Sequence, residues 1–176
     1  MLGPIPTYIF FSSDNGWMEG EHGIDRGKIV AYEESARVPL LVKGPGVSTT
    51  KVDKLGSNID LAPTFAEIGG TTTPYADGRS LMPLLRGTAL DSWRNRILIE
   101  NSYDKRGPYG AVRTDRYKLI QGGGKKDMLF DLDADPHENT NTIDTADPAL
   151  VQQLRASIEA LKECSQQSCR DIEDTQ

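Results

Sequence analysis

Asp14 and Asn15, in "YIFFSSDNGWMEGEHG", and Lys28, in "DRGKIVAYEES", are residue types that can do ionic chemistry together. The first two offer side-chain oxygen, the donor that hard cations such as Ca²⁺ and Mg²⁺ prefer. A lysine beside a bound anion acts as a point charge with three donors, suited to a sulfate or phosphate oxygen. Calcium takes about six to eight oxygens, so two donors are not a site and further carboxylates must come from elsewhere in the fold. His22, in "GEHG", could donate to a leaving-group oxygen or cap a loop. His137, in "DPHEN", reads as an exposed turn residue.

Asn15-Gly16 after an apolar run is also a strong hairpin signal, and on local pattern alone the turn is the favoured reading. A hairpin needs a return strand, however, and "WMEGEHGIDRGK" has no sustained alternation. Tyr8, Ile9, Phe10 and Phe11 are consecutively apolar, as in a strand of a parallel sheet covered on both faces. Such sheets bind ligands beyond the carboxyl ends of their strands, where Asp14 and Asn15 would sit. Side chains of strand neighbours point to opposite faces, so both reach one ion only where the backbone turns, which Gly16 permits.

The elements that must position these residues follow a β-loop-α-β order. "AYEESARVP" predicts a short helix and "LLVKGPGV" a strand closed by a turn. "NIDLAPTFAEIGG" predicts a helix with Asp60 as N-cap, Gly69-Gly70 as stop, and Leu61, Phe65 and Ile68 on one face. Near Trp93 the character changes. "RILIEN", "GAVRT", "YKLIQ" and "DMLFDL" read as an antiparallel meander. "DPALVQQLRASIEALKEC" then predicts a helix with proline just inside its start, packed on the meander. Glu33, Glu34 and Arg37 read as helix-surface pairs. "DLDADPHENTNT" fails as a calcium loop, having Pro136 where glycine belongs and Thr142 where a bidentate glutamate belongs.

The chain has 176 residues with a net charge of −6, which argues against general nucleic-acid binding. No apolar run approaches the roughly 20 residues of a membrane span. "MLGPIPTYIFF" shows no signal peptide and reads as a mid-domain start. Cys164 and Cys169 match neither a redox motif nor a zinc site; their spacing leaves a local disulfide and two free thiols both open.

Taken in order, "FFSSDNG", "GEHG", "DRGKIVAYEESARVPLLVKGPGV", "NIDLAPTFAEIGG", "DGRSLMPLL" and "MLFDLDADPHENTN" resemble the C-terminal part of the sulfatase family. "DPALVQQLRASIEALKECSQQSCR" is similar to the tail of N-acetylglucosamine-6-sulfatases. The resemblance implies an α/β fold of the alkaline-phosphatase type. Residues 1–93 would be the C-terminal part of the catalytic core, and residues 94–176 a small antiparallel lobe with a terminal helix. It implies a Ca²⁺ (or Mg²⁺) ion held in part by Asp14 and Asn15, a sulfate contact from Lys28, and an active-site loop histidine at His22. Asn101, Tyr103, Lys105 and Arg106, in "ENSYDKRGPYG", would approach the mouth of the cleft and contact the sugar; an ordinary exposed loop is the competing reading. Cys164 and Cys169 match the subgroup's tail and imply a disulfide.

The family's nucleophile is a formylglycine made within C-x-P-S-R or a similar motif, and this sequence has none. The chain therefore resembles roughly the last third of a sulfatase and is expected to be inactive alone, with formylglycine in the missing N-terminal part. The implied activity of the complete parent is sulfuric-ester hydrolysis on a sulfated amino sugar or glycosaminoglycan, in a secreted, periplasmic or lysosomal setting. The alternatives are a phosphodiester or phosphonate hydrolase of the same superfamily, and a non-catalytic remnant or interaction module. A core severed beside Tyr8 to Phe11 would also expose an edge and an apolar face, favouring self-association.

Overall fold

The computed structural model describes residues 5–88, 90, 92–102, 107–124 and 126–175. The apolar run near the start forms β1 (Ile9–Phe11), which pairs with β2 (Leu41–Lys43), Ile9 opposite Lys43 and Phe11 opposite Leu41. This pair is antiparallel, not the parallel arrangement expected, and one of its faces is open. Phe10 turns inward onto the Phe65 ring, edge to face at 4.9 Å. Ile9, Phe11 and Leu41 turn outward and are 60%, 61% and 64% exposed. Alternation forces that split, since strand neighbours face opposite ways and a second covering layer is absent among the described residues.

Between the strands lies α1 (Glu33–Ala36), followed after β2 by α2 (Leu61–Ile68) and α3 (Met82–Leu85). Asp60 does not cap α2 with its side chain. It closes a capping box one turn earlier, where its carboxylate accepts from the Ser57 backbone N–H at 2.8 Å. α2 stops at Gly69-Gly70, with Gly70 at φ 71°. Phe65 remains half exposed.

The meander forms as read: β3 (Arg96–Asn101), β4 (Tyr109–Thr114), β5 (Tyr117–Gly122) and β6 (Met128–Asp131) lie in that order, each antiparallel to the next. The period-2 alternation gives it two apolar faces. Val112, Leu119 and Leu129 meet Val151, Leu154, Ile158 and Leu161 of α4 (Pro148–Glu163). Ala111, Ile120 and Phe130 meet Ala31, with Tyr32 packed alongside. One face thus seats a helix and the other seats the segment between Lys28 and α1. Asp147 caps α4 by accepting from the Ala149 N–H.

The polar tail is a further helix, α5 (Gln167–Asp174), joined to the end of α4 by a disulfide between Cys164 and Cys169. Its Glu173 is buried. Arg94, fully buried, holds Asp60 through two hydrogen bonds of 2.9 and 2.7 Å, and its Nε lies 3.1 Å from the Glu173 carboxylate. Arg79 reaches Glu173 at 2.9 Å and Asp174 at 2.7 Å. This buried charge network ties α2, the segment before β3 and α5 into one body.

Candidate functional site

Asp14 and Asn15 follow β1 and lie beyond its carboxyl end. The backbone there is not a tight hairpin turn. Gly16 N–H donates to Ser35 O, and Trp17 N–H to Glu34 O, both at 2.8 Å. A Cβ on Gly16 would stand 2.0 Å from the Glu34 carbonyl oxygen. Glycine is therefore required by the close approach of α1's backbone, rather than by the turn that Asn-Gly suggests. Asn58, just ahead of α2, donates through Nδ2 to the Ser13 and Asp14 carbonyls at 3.3 and 3.1 Å. The loop is thus held from both sides.

Lys28 is brought back to this loop by an isolated bridge, in which Met18 N–H donates to Gly27 O at 2.7 Å and Gly27 N–H to Met18 O at 3.3 Å. Met18 is fully buried and anchors the turn. Lys28 Nζ then lies 3.0 Å from Asn15 Oδ1 and 3.7 Å from Asp14 Oδ2. The Asn15 backbone N–H holds the Asp14 carboxyl below the usual carboxylate range, against desolvation and with help from the Lys28 charge. Ile29, next to Lys28, has φ 70°, a strained conformation for a β-branched residue. Asp14, Asn15 and Lys28 line one open cleft of about 1300 Å³, and Asn101 at the end of β3 lines it too. Tyr103, Lys105 and Arg106 lie outside the described residues.

His22 is placed differently. It is not on the wall of that cleft. It turns inward, stacks on Tyr32 at 3.8 Å with an interplanar angle of 6°, and points Nε2 at Glu34 Oε2, 3.4 Å away. His137 is exposed, and the surrounding segment is a turn.

Sequence reasoning treated Glu33 as a surface residue, but it belongs to a buried cluster. Lys118 of β5, fully buried, places Nζ 2.6 Å from Glu33 Oε1 and 2.9 Å from Glu138 Oε1, and donates to Ala31 O at 2.9 Å. Glu138, at φ 52°, also accepts from the Glu33 N–H at 2.6 Å. Burial pushes the Glu33 carboxyl up, but Lys118 and Arg113 outweigh it and leave Glu33 below the usual range. For Glu138 burial wins, and its carboxyl is raised. These contacts fix the start of α1, and through Gly16 and Trp17 the Asp14 loop. The only sequence signal was a lysine in the middle of an apolar strand.

Residues 20–164 match the family described as N-sulphoglucosamine sulphohydrolase, C-terminal. The chain belongs to the sulfatase family. It is 32% identical to human N-acetylglucosamine-6-sulfatase, over 93% of this chain and 36% of that protein. A solved structure holding its substrate D-glucosamine-2-N,6-O-disulfate superposes with TM-score 0.74 and 28% identity, over 95% of this chain and 35% of that one. A phosphonate monoester hydrolase of Agrobacterium radiobacter superposes with TM-score 0.73 and 28% identity, over 85% and 33%. The fold is the alkaline-phosphatase-like sulfatase fold, and the chain spans about a third of the length of these relatives.

Within this sulfatase portion the donor set fits part of a hard cation's shell. Asp14 and Asn15 present a carboxylate and an amide oxygen toward one lysine in an open cleft. Those are two of the six or more oxygens that calcium takes.

Proposed function

We propose that this chain is the sulfate-holding portion of a sulfuric-ester hydrolase acting on a sulfated amino sugar or glycosaminoglycan. The observation that carries the reading is Lys28 Nζ beside Asn15 Oδ1 and Asp14 Oδ2 at the end of β1, in the same cleft as Asn101. Asp14 and Asn15 would hold Ca²⁺, which when bound supplies positive charge opposite the sulfate oxygens. Lys28 would add an ammonium on the same oxygens, so charge that builds on them during ester cleavage is neutralised without proton transfer. Asn101 offers an amide to a sugar hydroxyl, and Tyr103, Lys105 and Arg106 are proposed to contact the sugar as well.

His22 is proposed to act by holding the loop that carries Lys28, since its Nε2 faces Glu34. The chain contains no C-x-P-S-R motif, and its two cysteines are joined to each other, so neither stands where the family's formylglycine nucleophile is made. The division at residues 93/94 into a core portion and a C-terminal lobe is part of this proposal. A disulfide suits an oxidising compartment and supports a secreted, periplasmic or lysosomal setting. Among the described residues no helix is long and apolar enough to cross a membrane. The open face of Ile9, Phe11 and Leu41 supports self-association of the isolated chain.

The likeness to a phosphonate monoester hydrolase supports a second reading, hydrolysis of a phosphorus ester in the same cleft. Matched aryl sulfate and aryl phosphonate esters test both. The purified chain is expected to turn over neither; sulfate release would overturn its incompleteness. The chain is also expected to bind the sulfate monoester more tightly than the phosphonate, and the reverse order would favour the second reading.

A further inference from the structure

His22, Glu34 and Glu138 come from separate segments: the glycine-flanked turn at Glu21–Gly23, α1, and the turn after β6. One donor atom from each, an imidazole nitrogen and two carboxylate oxygens, lie within 4.8 Å of one another. His22 Nε2, Glu34 Oε2 and Glu138 Oε1 are buried, and among the described residues none has a partner in hydrogen-bond geometry, Glu138 Oε1 being ion-paired with Lys118 at 2.9 Å. The His22 side chain is nine-tenths buried and that of Glu138 completely so. His22 holds φ 54°, a left-handed conformation uncommon for a residue with a side chain, and it is this backbone that carries the ring inward.

The 3.4 Å between His22 Nε2 and Glu34 Oε2 is long for an N–H···O hydrogen bond, whose usual length is about 2.9–3.0 Å. It suits co-ligation, because nitrogen and oxygen each about 2.0–2.2 Å from a tetrahedral zinc stand roughly 3.3–3.5 Å apart. We propose that His22, Glu34 and Glu138 form a second cation site, distinct from Asp14 and Asn15, for a zinc-like ion. One imidazole with two carboxylates suits a borderline ion such as Zn²⁺ better than Ca²⁺ or Mg²⁺.

Carboxyls and cations both surround this position. Lys118 Nζ lies 2.9 Å from Glu138 Oε1 without hydrogen-bond geometry, and its charge is shared with Glu33 at 2.6 Å. The carboxyls of Glu33, Glu34 and Glu138 face Lys118 and Arg113, which lies 3.7 Å from Glu33, and Arg37 also acts on Glu33. Tyr32 covers the His22 ring face. A bound ion would clasp the loop leading to Lys28 onto α1 and the turn after β6. The inference does not depend on the sulfatase chemistry proposed above.

Zn²⁺ titrated into the purified chain with Ca²⁺ in excess tests it, using calorimetry and thermal melting, with Co²⁺ absorption reporting coordination. One Zn²⁺ per chain is expected, with a raised melting temperature and a tetrahedral Co²⁺ spectrum. His22→Ala should weaken binding by more than the roughly 10–100-fold that loss of an outer-shell partner costs. Glu34→Gln, which preserves shape and supplies a second variant should His22→Ala not fold, should weaken it comparably. His137→Ala and Asp14→Asn should leave it unchanged. Absence of Zn²⁺-dependent stabilisation, survival of binding in both His22→Ala and Glu34→Gln, or loss of it in Asp14→Asn would overturn the assignment.

Discussion

Replacing Arg94 with methionine removes the cation that Asp60 holds by two hydrogen bonds, with both side chains at zero exposure. Asp60 keeps the backbone N–H groups of Ser57 and Arg79, at 2.8 and 2.9 Å, but loses its counter-charge, and Glu173 loses one of two arginines. Stranding a buried charge in this way costs about 3–5 kcal/mol. For a chain of this size 1 kcal/mol lowers the melting temperature by about 2–4 °C, so a drop of roughly 6–20 °C is expected by circular dichroism. Adding Asp60→Asn should recover part of the loss, because the stranded charge is gone, giving a coupling of about 1–3 kcal/mol. A loss below about 1 kcal/mol for Arg94→Met, or strict additivity in the double variant, would refute the reasoning. The consequence reaches the candidate site, since Asp60 ends the short turn that carries Asn58, and Asn58 holds the Asp14 backbone.

Opening the Cys164–Cys169 bond, by reduction or as Cys164→Ser with Cys169→Ser, frees α5 and should cost about 2 kcal/mol from loop-closure entropy, measured by urea unfolding. Gly16→Ala should cost about 1–3 kcal/mol, because the added methyl meets the Glu34 carbonyl at 2.0 Å, and should shift the Asp14 amide resonance; an unchanged melt would count against the close approach. Burial raises the Glu173 carboxyl above the ordinary value of 4.5, against the pull of Arg94 and Arg79. The folded state therefore binds that proton more tightly, and this contribution to stability falls as pH rises from 4.5 to the raised value, then levels off. Glu173→Gln should remove that slope. Glu33, whose carboxyl is lowered, acts oppositely, and its contribution is lost as pH falls below 4.5.

Local pattern was enough for α4, where Pro148 just inside the start and the helical spacing of Val151, Leu154, Ile158 and Leu161 mark its beginning and its buried stripe. It was enough for the meander, and for Asp14 and Asn15 beyond the end of a strand. It failed where the deciding partner is remote in sequence. Asp60 looks like a helix cap until Arg94 takes its carboxylate, and Glu33 looks solvated until Lys118 arrives from β5. Gly16 reads as a turn residue because the α1 backbone that crowds it is invisible in the local string. Tyr8 to Phe11 read as a strand covered on both faces, yet one face is open among the described residues. The inward rotation of His22 follows from a left-handed backbone that no local pattern reveals.

The central claim, that Lys28 with Asp14 and Asn15 holds a sulfate, is tested most directly by titrating D-glucosamine 6-sulfate into the chain in Ca²⁺, with the Lys28 and Asn15 resonances followed by NMR. Saturable shifts at both residues are predicted, abolished by Lys28→Ala and by removing Ca²⁺, and not reproduced by unsulfated glucosamine. Equal shifts with the unsulfated sugar, or full binding by Lys28→Ala, would contradict the account.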